Sequence, residues 1–278
     1  MDNDNSTSVT DVSPAVLAAM LARLGKRSDL SRDERRLVFA SLREWKLEDE
    51  CYDPNPELIV KIEEFRLRIE TEEKAKEAAK AANKKYTAPR NDGKLLEEIL
   101  YLALSSLQDI NRIKSYSAAE YQIDLEVSGS GGLWEWMMKD FLNLPGDTFV
   151  AEAKDYGIPI ENKYFSRLVY ILDYHINKDS YLGIFFTREG ASGFPQPDQP
   201  LKKMSGCLAT QMLFRARTEK FIIVFNKEDI YRLGERGSLL KLIRAKIHDA
   251  QGWAGKPLDI DKGWNEIDLP PHMAKYRA

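Results

Sequence analysis

The six residues 149–154, Phe-Val-Ala-Glu-Ala-Lys, constrain the fold of this chain more than any other stretch. Phe149, Val150, Ala151 and Ala153 make the segment too apolar for a solvated outer edge and predict a buried strand. Side chains two apart on a strand share a face, so Glu152 and Lys154 point to the same side. A carboxylate and an ammonium side by side at the end of a core strand are costly to desolvate and call for a reason. The bland alternative is an ordinary ion pair on a wet strand, which adds little to stability.

Around this strand the apolar periodicity alternates between helix and strand. The pattern predicts a helix of about 14 residues from Lys94, a strand at 121–127, a glycine-rich turn and a short aromatic helix at 133–141. After the Glu152 strand come a helix at 162–176, a strand at 181–187, a helix at 204–217, a strand at 220–225 and a last helix at 237–250. Helices alternating with apolar strands indicate an α/β layer fold, and no internal repeat interrupts the order.

The N-terminal part reads differently. Residues 1–12 have the composition of a disordered segment, and Ser13-Pro14 then supplies an N-cap and first-turn proline for a helix ending before Gly25. A capping box at Ser31-Arg32-Asp33-Glu34 starts a second helix that ends near Trp45. After Asn55-Pro56, the apolar residues Leu58, Ile62, Phe65 and Ile69 recur at heptad-like spacing, and an Ala/Lys/Glu-rich stretch carries the helix on to about Lys85. Such a long helix is a candidate for dimerisation or for docking a partner, with packing on the chain's own helices as the alternative. The breakers at 87–93 (Thr-Ala-Pro-Arg-Asn-Asp-Gly) divide an N-terminal helical region, 1–88, from a second domain, 89–278.

With 278 residues and 43% apolar content the chain can build a sizeable core. No run approaches the roughly 20 apolar residues that span a bilayer, and the start lacks the basic-then-apolar pattern of a signal peptide, so a soluble cytoplasmic protein is expected. Cys51 and Cys207 stand far apart without metal-ligand spacing, which predicts buried free thiols. A net charge of -3 argues against coating nucleic acid by bulk electrostatics. Lys202, Lys203, Arg215, Arg217 and Lys220 are left as a local phosphate-facing patch or a solvated face of mixed charge.

Phosphodiester hydrolysis needs an activated water, a clamp on the phosphorane oxygens and stabilisation of the leaving oxygen, all of which carboxylate-bound Mg²⁺ supplies. In strand 121–127, Ile123, Leu125 and Val127 form an apolar face, leaving Asp124 on the other face with Glu126 as its rival. Asp124 and Glu152 on adjacent strands would offer the hard oxygen ligands that Mg²⁺ takes, and Lys154 would orient or deprotonate the attacking water or balance charge on the phosphate. Other features carry less. Trp134 and Trp136 follow Gly129-Ser130-Gly131-Gly132 and are either core residues or base-stacking groups on a flap. His175 reads as a packed or surface histidine. Tyr156 and Lys163 lie where a backbone-contacting side chain would be useful, and the stretch 190–197 is a loop able to shape a cleft. No phosphate-binding glycine loop followed by Lys-Ser/Thr and no nucleophile triad is present.

The order of a helix, a strand with Asp, a strand with Glu-x-Lys, a helix and a strand is similar to that of the PD-(D/E)xK phosphodiesterases, the restriction-endonuclease-like superfamily. The resemblance spans 97–225 and rests on Gln122-Ile123-Asp124-Leu125-Glu126-Val127 and Phe149-Val150-Ala151-Glu152-Ala153-Lys154-Asp155-Tyr156. Ser166-Arg167-Leu168 and Leu182-Gly183-Ile184-Phe185-Phe186-Thr187 also look like its restriction and repair branch. It implies a mixed central sheet flanked by helices, cleavage of nucleic acid, usually DNA, with Mg²⁺ or Mn²⁺, and frequent dimerisation. By position Asp124 and Glu152 match the metal-binding acids and Lys154 the catalytic lysine. Glu97, or its neighbour Glu98, matches the glutamate that many members place on the first core helix. Ile123 replaces the proline of the family name.

The family implies a setting in restriction or anti-phage defence, with a homodimer or a partner subunit joined through the N-terminal helices. Two alternatives stay open: a non-catalytic nucleic-acid-binding or scaffold subunit that keeps the fold, and a structure-selective repair nuclease such as a junction resolvase.

Overall fold

A computed structural model describes residues 47–86, 93–117, 122–175, 180–195 and 204–253. The side chains of 116, 117, 122–124, 174 and 175 fall outside the description. The segment expected to be disordered, the helices expected at 13–24 and 31–45, and Lys202 and Lys203 all lie outside the described residues.

Asn55 and Pro56 start the long helix as their chemistry dictates. The Asn55 side chain accepts from the Glu57 backbone N–H at 2.8 Å, and Pro56 occupies the first turn, where no N–H is required. This helix, α2 (Pro56–Ala81), follows a short α1 (Leu47–Cys51). Its seam of Leu58, Ile62, Phe65 and Ile69 is buried in the chain's own core, against α3 (Lys94–Ser105), whose Leu96, Ile99, Leu100, Ala103 and Leu104 belong to the same apolar cluster. The breaker segment at 87–92 therefore separates two helices that share one core.

Five strands follow: β1 (Ile110–Ser117), β2 (Gln122–Gly129), β3 (Thr148–Lys154), β4 (Ser180–Thr187) and β5 (Phe221–Phe225). The sheet order equals the chain order. β1 and β2 pair antiparallel, as do β2 and β3, whereas β3, β4 and β5 run parallel. The protein is thus α/β, with a mixed five-stranded sheet flanked by helices.

Between β2 and β3 stands α4 (Gly132–Glu135), continued by a π-helical turn (Trp136–Phe141). The two parallel crossovers are α5 (Asn162–Tyr170), continued by a π-helical turn (Ile171–His175), and α6 (Gly206–Thr218). Right-handed crossovers that step the same way across a sheet place their helices on one face, and α5 and α6 share one. Their Phe165, Leu168, Cys207 and Phe214 bury Val150, Phe185 and Val224. Gly183 of β4 makes this possible, since a Cβ there would come within 2.9 Å of Leu168 Cδ2. After α7 (Lys227–Tyr231), α8 (Ser238–Gly252) returns to the opposite face, where with α2 and α3 it covers Phe149, Ala151, Ile184 and Phe225.

β1 was absent from the expected elements, as was α7. The sequence of β1 carries Arg112 and Lys114 exposed, the composition of a solvated edge strand whose charges discourage pairing with another chain, so it shows no apolar run. Trp134 stands in the core at 2% exposure, stacked on Phe149 at 6.0 Å with its indole N–H donating to Asp147 O. Trp136 is partly buried against Phe141. Among the described residues no helix is long and apolar enough to cross a membrane.

Candidate active site

Alternation along β3 divides its side chains between the two layers. Phe149, Ala151 and Ala153 enter the larger apolar cluster, while Val150 faces α5 and α6, and so do Glu152 and Lys154 by the period of two. Glu152 is only 1% exposed. Lys154 Nζ stands 2.7 Å and Arg167 Nη2 3.0 Å from the same oxygen, Glu152 Oε1. Lys154 also donates to the Ala153 carbonyl at 3.0 Å. Desolvating one carboxylate costs several kcal/mol, and two cations in the low dielectric beneath α5 offset it. Both cations reach partly into solvent, so the group opens to one side.

Arg167 sits between Phe165 and Leu168, which anchor α5 on the sheet and so aim its guanidinium at the end of β3. In the sequence Arg167 stands only within the Ser166-Arg167-Leu168 stretch, with no site role assigned to it. The available signal was its position one turn after Tyr164 on a helix that must pack over the Glu152 face.

The residues that follow the parallel strands are also charged, and α2 holds each of them. Asp155, after β3, has a side chain 1% exposed and pairs with Arg68. Arg188, after β4, pairs with Glu72 and lies 3.1 Å from Glu189. Lys227, after β5, meets Glu73 at 2.6 Å. Burial disfavours the charge of Arg188, but Glu72, Glu189 and Asp155 outweigh it and raise its pKa. The bond from Lys227 lowers that of Glu73. The charged half of α2 therefore straps the carboxyl edge of β3, β4 and β5, where open α/β sheets receive ligands.

β2 brings Asp124 to the neighbourhood of Glu152. The pair Leu125 and Ala151 is in register, and positions 124 and 152 come next along the two strands, where the pairing of β2 with β1 is irregular between residues 123 and 126. The Asp124 side chain is outside the described residues, as is that of His175. Its rival Glu126 is half-buried, opposite Val150. Glu97 is not joined to this group. It is exposed on α3, the helix over the other face, and lines a surface depression with Glu57, Lys94 and Tyr101, while Glu98 pairs with Lys61 at 2.8 Å.

The basic patch expected around 215–220 is consumed by structure at the opposite edge of the sheet. Arg215 donates to Ala250 O and lies over Phe221, Arg217 pairs with Asp173 at 2.6 Å, and buried Lys220 donates to Leu172 O at 2.7 Å. The loop after β4 meets the segment that follows β3. Ile160 and Ala191 form a parallel bridge between the two, and Gly193 (φ +81°) passes so close to Ser205 that a Cβ would stand 1.7 Å from its carbonyl oxygen.

Among the described residues no group of three or more His, Cys, Asp or Glu side chains could hold a metal ion. Glu152 is a hard oxygen donor of the type Mg²⁺ takes, and it fits such an ion only within a larger set, for which position 124 is the nearest candidate. No protein-family model matches the chain, and searches of curated proteins and of solved structures return no match.

Proposed function

We propose that the protein is a metal-dependent endonuclease of restriction-endonuclease-like fold that hydrolyses DNA phosphodiester bonds. The supporting observation is the almost fully buried Glu152, with Lys154 beside it, at the carboxyl end of a central strand whose neighbour β2 carries position 124. Asp124 and Glu152 would hold Mg²⁺ or Mn²⁺, which when bound supplies an acidified water and charge neutralisation at the phosphate. Lys154, with its Nζ beside Glu152, would orient the attacking water or balance the charge that develops on the phosphate oxygens. Arg167 presents a planar fork of donors suited to two phosphate oxygens and orients the scissile group against the sheet edge. α5 and the strap of α2 exclude water from the rear of the site.

Restriction or anti-phage defence in the cytoplasm is the setting this reading favours. Val60 and Leu67, exposed one heptad apart on the outer side of α2, suit a homodimer or a partner subunit. A second reading has its own observation. Glu152 held by two cations is a self-sufficient ion-pair triad, as expected of a non-catalytic nucleic-acid-binding subunit.

The test is cleavage of plasmid, linear duplex, junction and single-stranded DNA with Mg²⁺ or Mn²⁺, comparing wild type with folded Glu152→Ala and Lys154→Ala. Metal-dependent cutting lost in both variants supports the nuclease. Cutting of the junction alone identifies a resolvase-like enzyme, and binding without cutting on every substrate favours the scaffold.

A further inference from the structure

Directly beyond Lys154 the chain leaves the sheet and exposes an aromatic and apolar ridge beside the Glu152 carboxylate. Tyr156 is 40% and Ile158 61% exposed. The Tyr156 ring lies 5.5 Å from that of Tyr164, on the first turn of α5, and the Tyr164 hydroxyl donates to the Tyr156 hydroxyl at 3.0 Å. Lys163 Nζ stands 5.0 Å from the centre of the Tyr164 ring and gives the ridge a cationic flank, though it also meets Glu161 at 3.0 Å. Tyr156 lies within the field of both Glu152 and Arg167: its pKa is pushed up to about 12, first by the bond with Tyr164, then by burial, with Glu152 raising it and Arg167 lowering it.

Solvation alone does not explain this arrangement. Tyr156 and Ile158 are presented to water at the carboxyl edge of β3, Tyr164 is partly buried with its ring in contact with that of Tyr156, and a Cβ placed at Gly157 would meet nothing within 4 Å. Tyrosine rings offer flat apolar area at low entropic cost, and stacking of a base on such a ring is worth most when that base has already left its neighbours. An exposed apolar side chain beside them acts as a wedge between base steps. A fully stacked duplex offers only its backbone to such a ridge, so the ridge discriminates between paired and unpaired substrates.

We infer that Tyr156, Tyr164 and Ile158 form a platform for an unstacked base next to the scissile phosphate, so that the substrate is DNA with an unpaired or locally opened nucleotide rather than an undistorted duplex. The inference rests on the nuclease reading of Glu152 and names its substrate class. Tyr156 and Tyr164 act here as substrate-positioning residues through their contacting rings.

The probe is a DNA oligonucleotide carrying one 2-aminopurine, offered single-stranded, in a one-nucleotide bulge and in a perfect duplex, with Ca²⁺ replacing Mg²⁺. Fluorescence titration of wild type should show quenching and tighter binding of the first two forms. Tyr156→Ala and Tyr164→Ala, each checked for folding by circular dichroism, should weaken that binding about tenfold while leaving duplex affinity unchanged. Tyr156→Phe, which keeps the ring, should retain it. Equal binding of all three forms by wild type, or undiminished bulge binding by both alanine variants, would overturn the platform. Cleavage by wild type against Glu152→Ala decides the nuclease reading separately: a wild type that quenches the probe but never cuts DNA would sink that reading and leave a base-binding surface.

Discussion

The two faces of β3 solve opposite problems. On one, Phe149, Ala151 and Ala153 sink into the larger cluster beneath α2, α3 and α8, where burial alone holds the layers together. On the other, the strand begins with apolar Val150 and ends with Glu152 and Lys154, whose charges must be matched by Arg167 before α5 can close. Apolar burial stabilises without direction, at about 25 cal/mol per Å², and needs no particular partner. A buried carboxylate is tolerated only with its cations in place. One face therefore secures the sheet, and the other carries a charged group that apolar burial alone would disfavour.

Substitution on each face should separate those roles. Glu152→Ala should lower metal-dependent cleavage about 10³-fold. Its cost in stability should stay near about 1–2 kcal/mol, because Lys154 and Arg167 can both turn to water. Phe149→Ala should show the reverse, losing about 3–5 kcal/mol in denaturant unfolding while the molecules that remain folded keep their cutting rate.

The strap of α2 should give an intermediate effect. Arg68→Ala leaves the Asp155 carboxylate buried without its guanidinium and should cost about 1.5–3 kcal/mol, together with a loss of cleavage, since Asp155 adjoins Lys154. Unchanged stability in this variant would mean that α2 does not fix the carboxyl edge.

Smaller effects sharpen the contrast between dry core and charged edge. Burial, aided by Asp109, Glu48 and Glu50, pushes the Cys51 thiol up to about 12, and burial likewise raises that of Cys207. Neither thiol should react with a disulfide reagent at pH 8 until the protein unfolds. The smallest change belongs to Glu73→Gln, which removes an exposed partner of Lys227. Because the folded Glu73 is held below the ordinary carboxylate value, its contribution is present above about pH 4.3 and fades as the pH falls through the lower folded value. Thermal unfolding of wild type and variant should converge as the pH falls through that range.

Apolar runs made β3, β4 and β5 legible from the sequence, because strands buried on both sides leave no room for polar residues. β1 escaped because an edge strand needs none of that apolar content. Glu152 and Lys154 stand out in the sequence because charge within an apolar run is conspicuous. Arg167 and Asp155 enter the sequence pattern only as part of longer stretches and Arg68 not at all, because each is an ordinary charged residue in sequence and gains meaning only from a neighbour far along the chain. The strap of α2 is illegible for the same reason: Glu72 and Glu73 lie in an Ala/Lys/Glu-rich stretch and gain their role only from Arg188 and Lys227.

The most direct test is Mn²⁺ binding to the folded protein, followed by electron paramagnetic resonance for wild type, Glu152→Ala and Asp124→Ala. Glu152 as a metal ligand requires bound Mn²⁺ in the wild type and at least about tenfold weaker binding in each variant. Equal Mn²⁺ binding in all three proteins, or none in the wild type, would contradict it and leave Glu152 as the centre of a structural ion-pair triad.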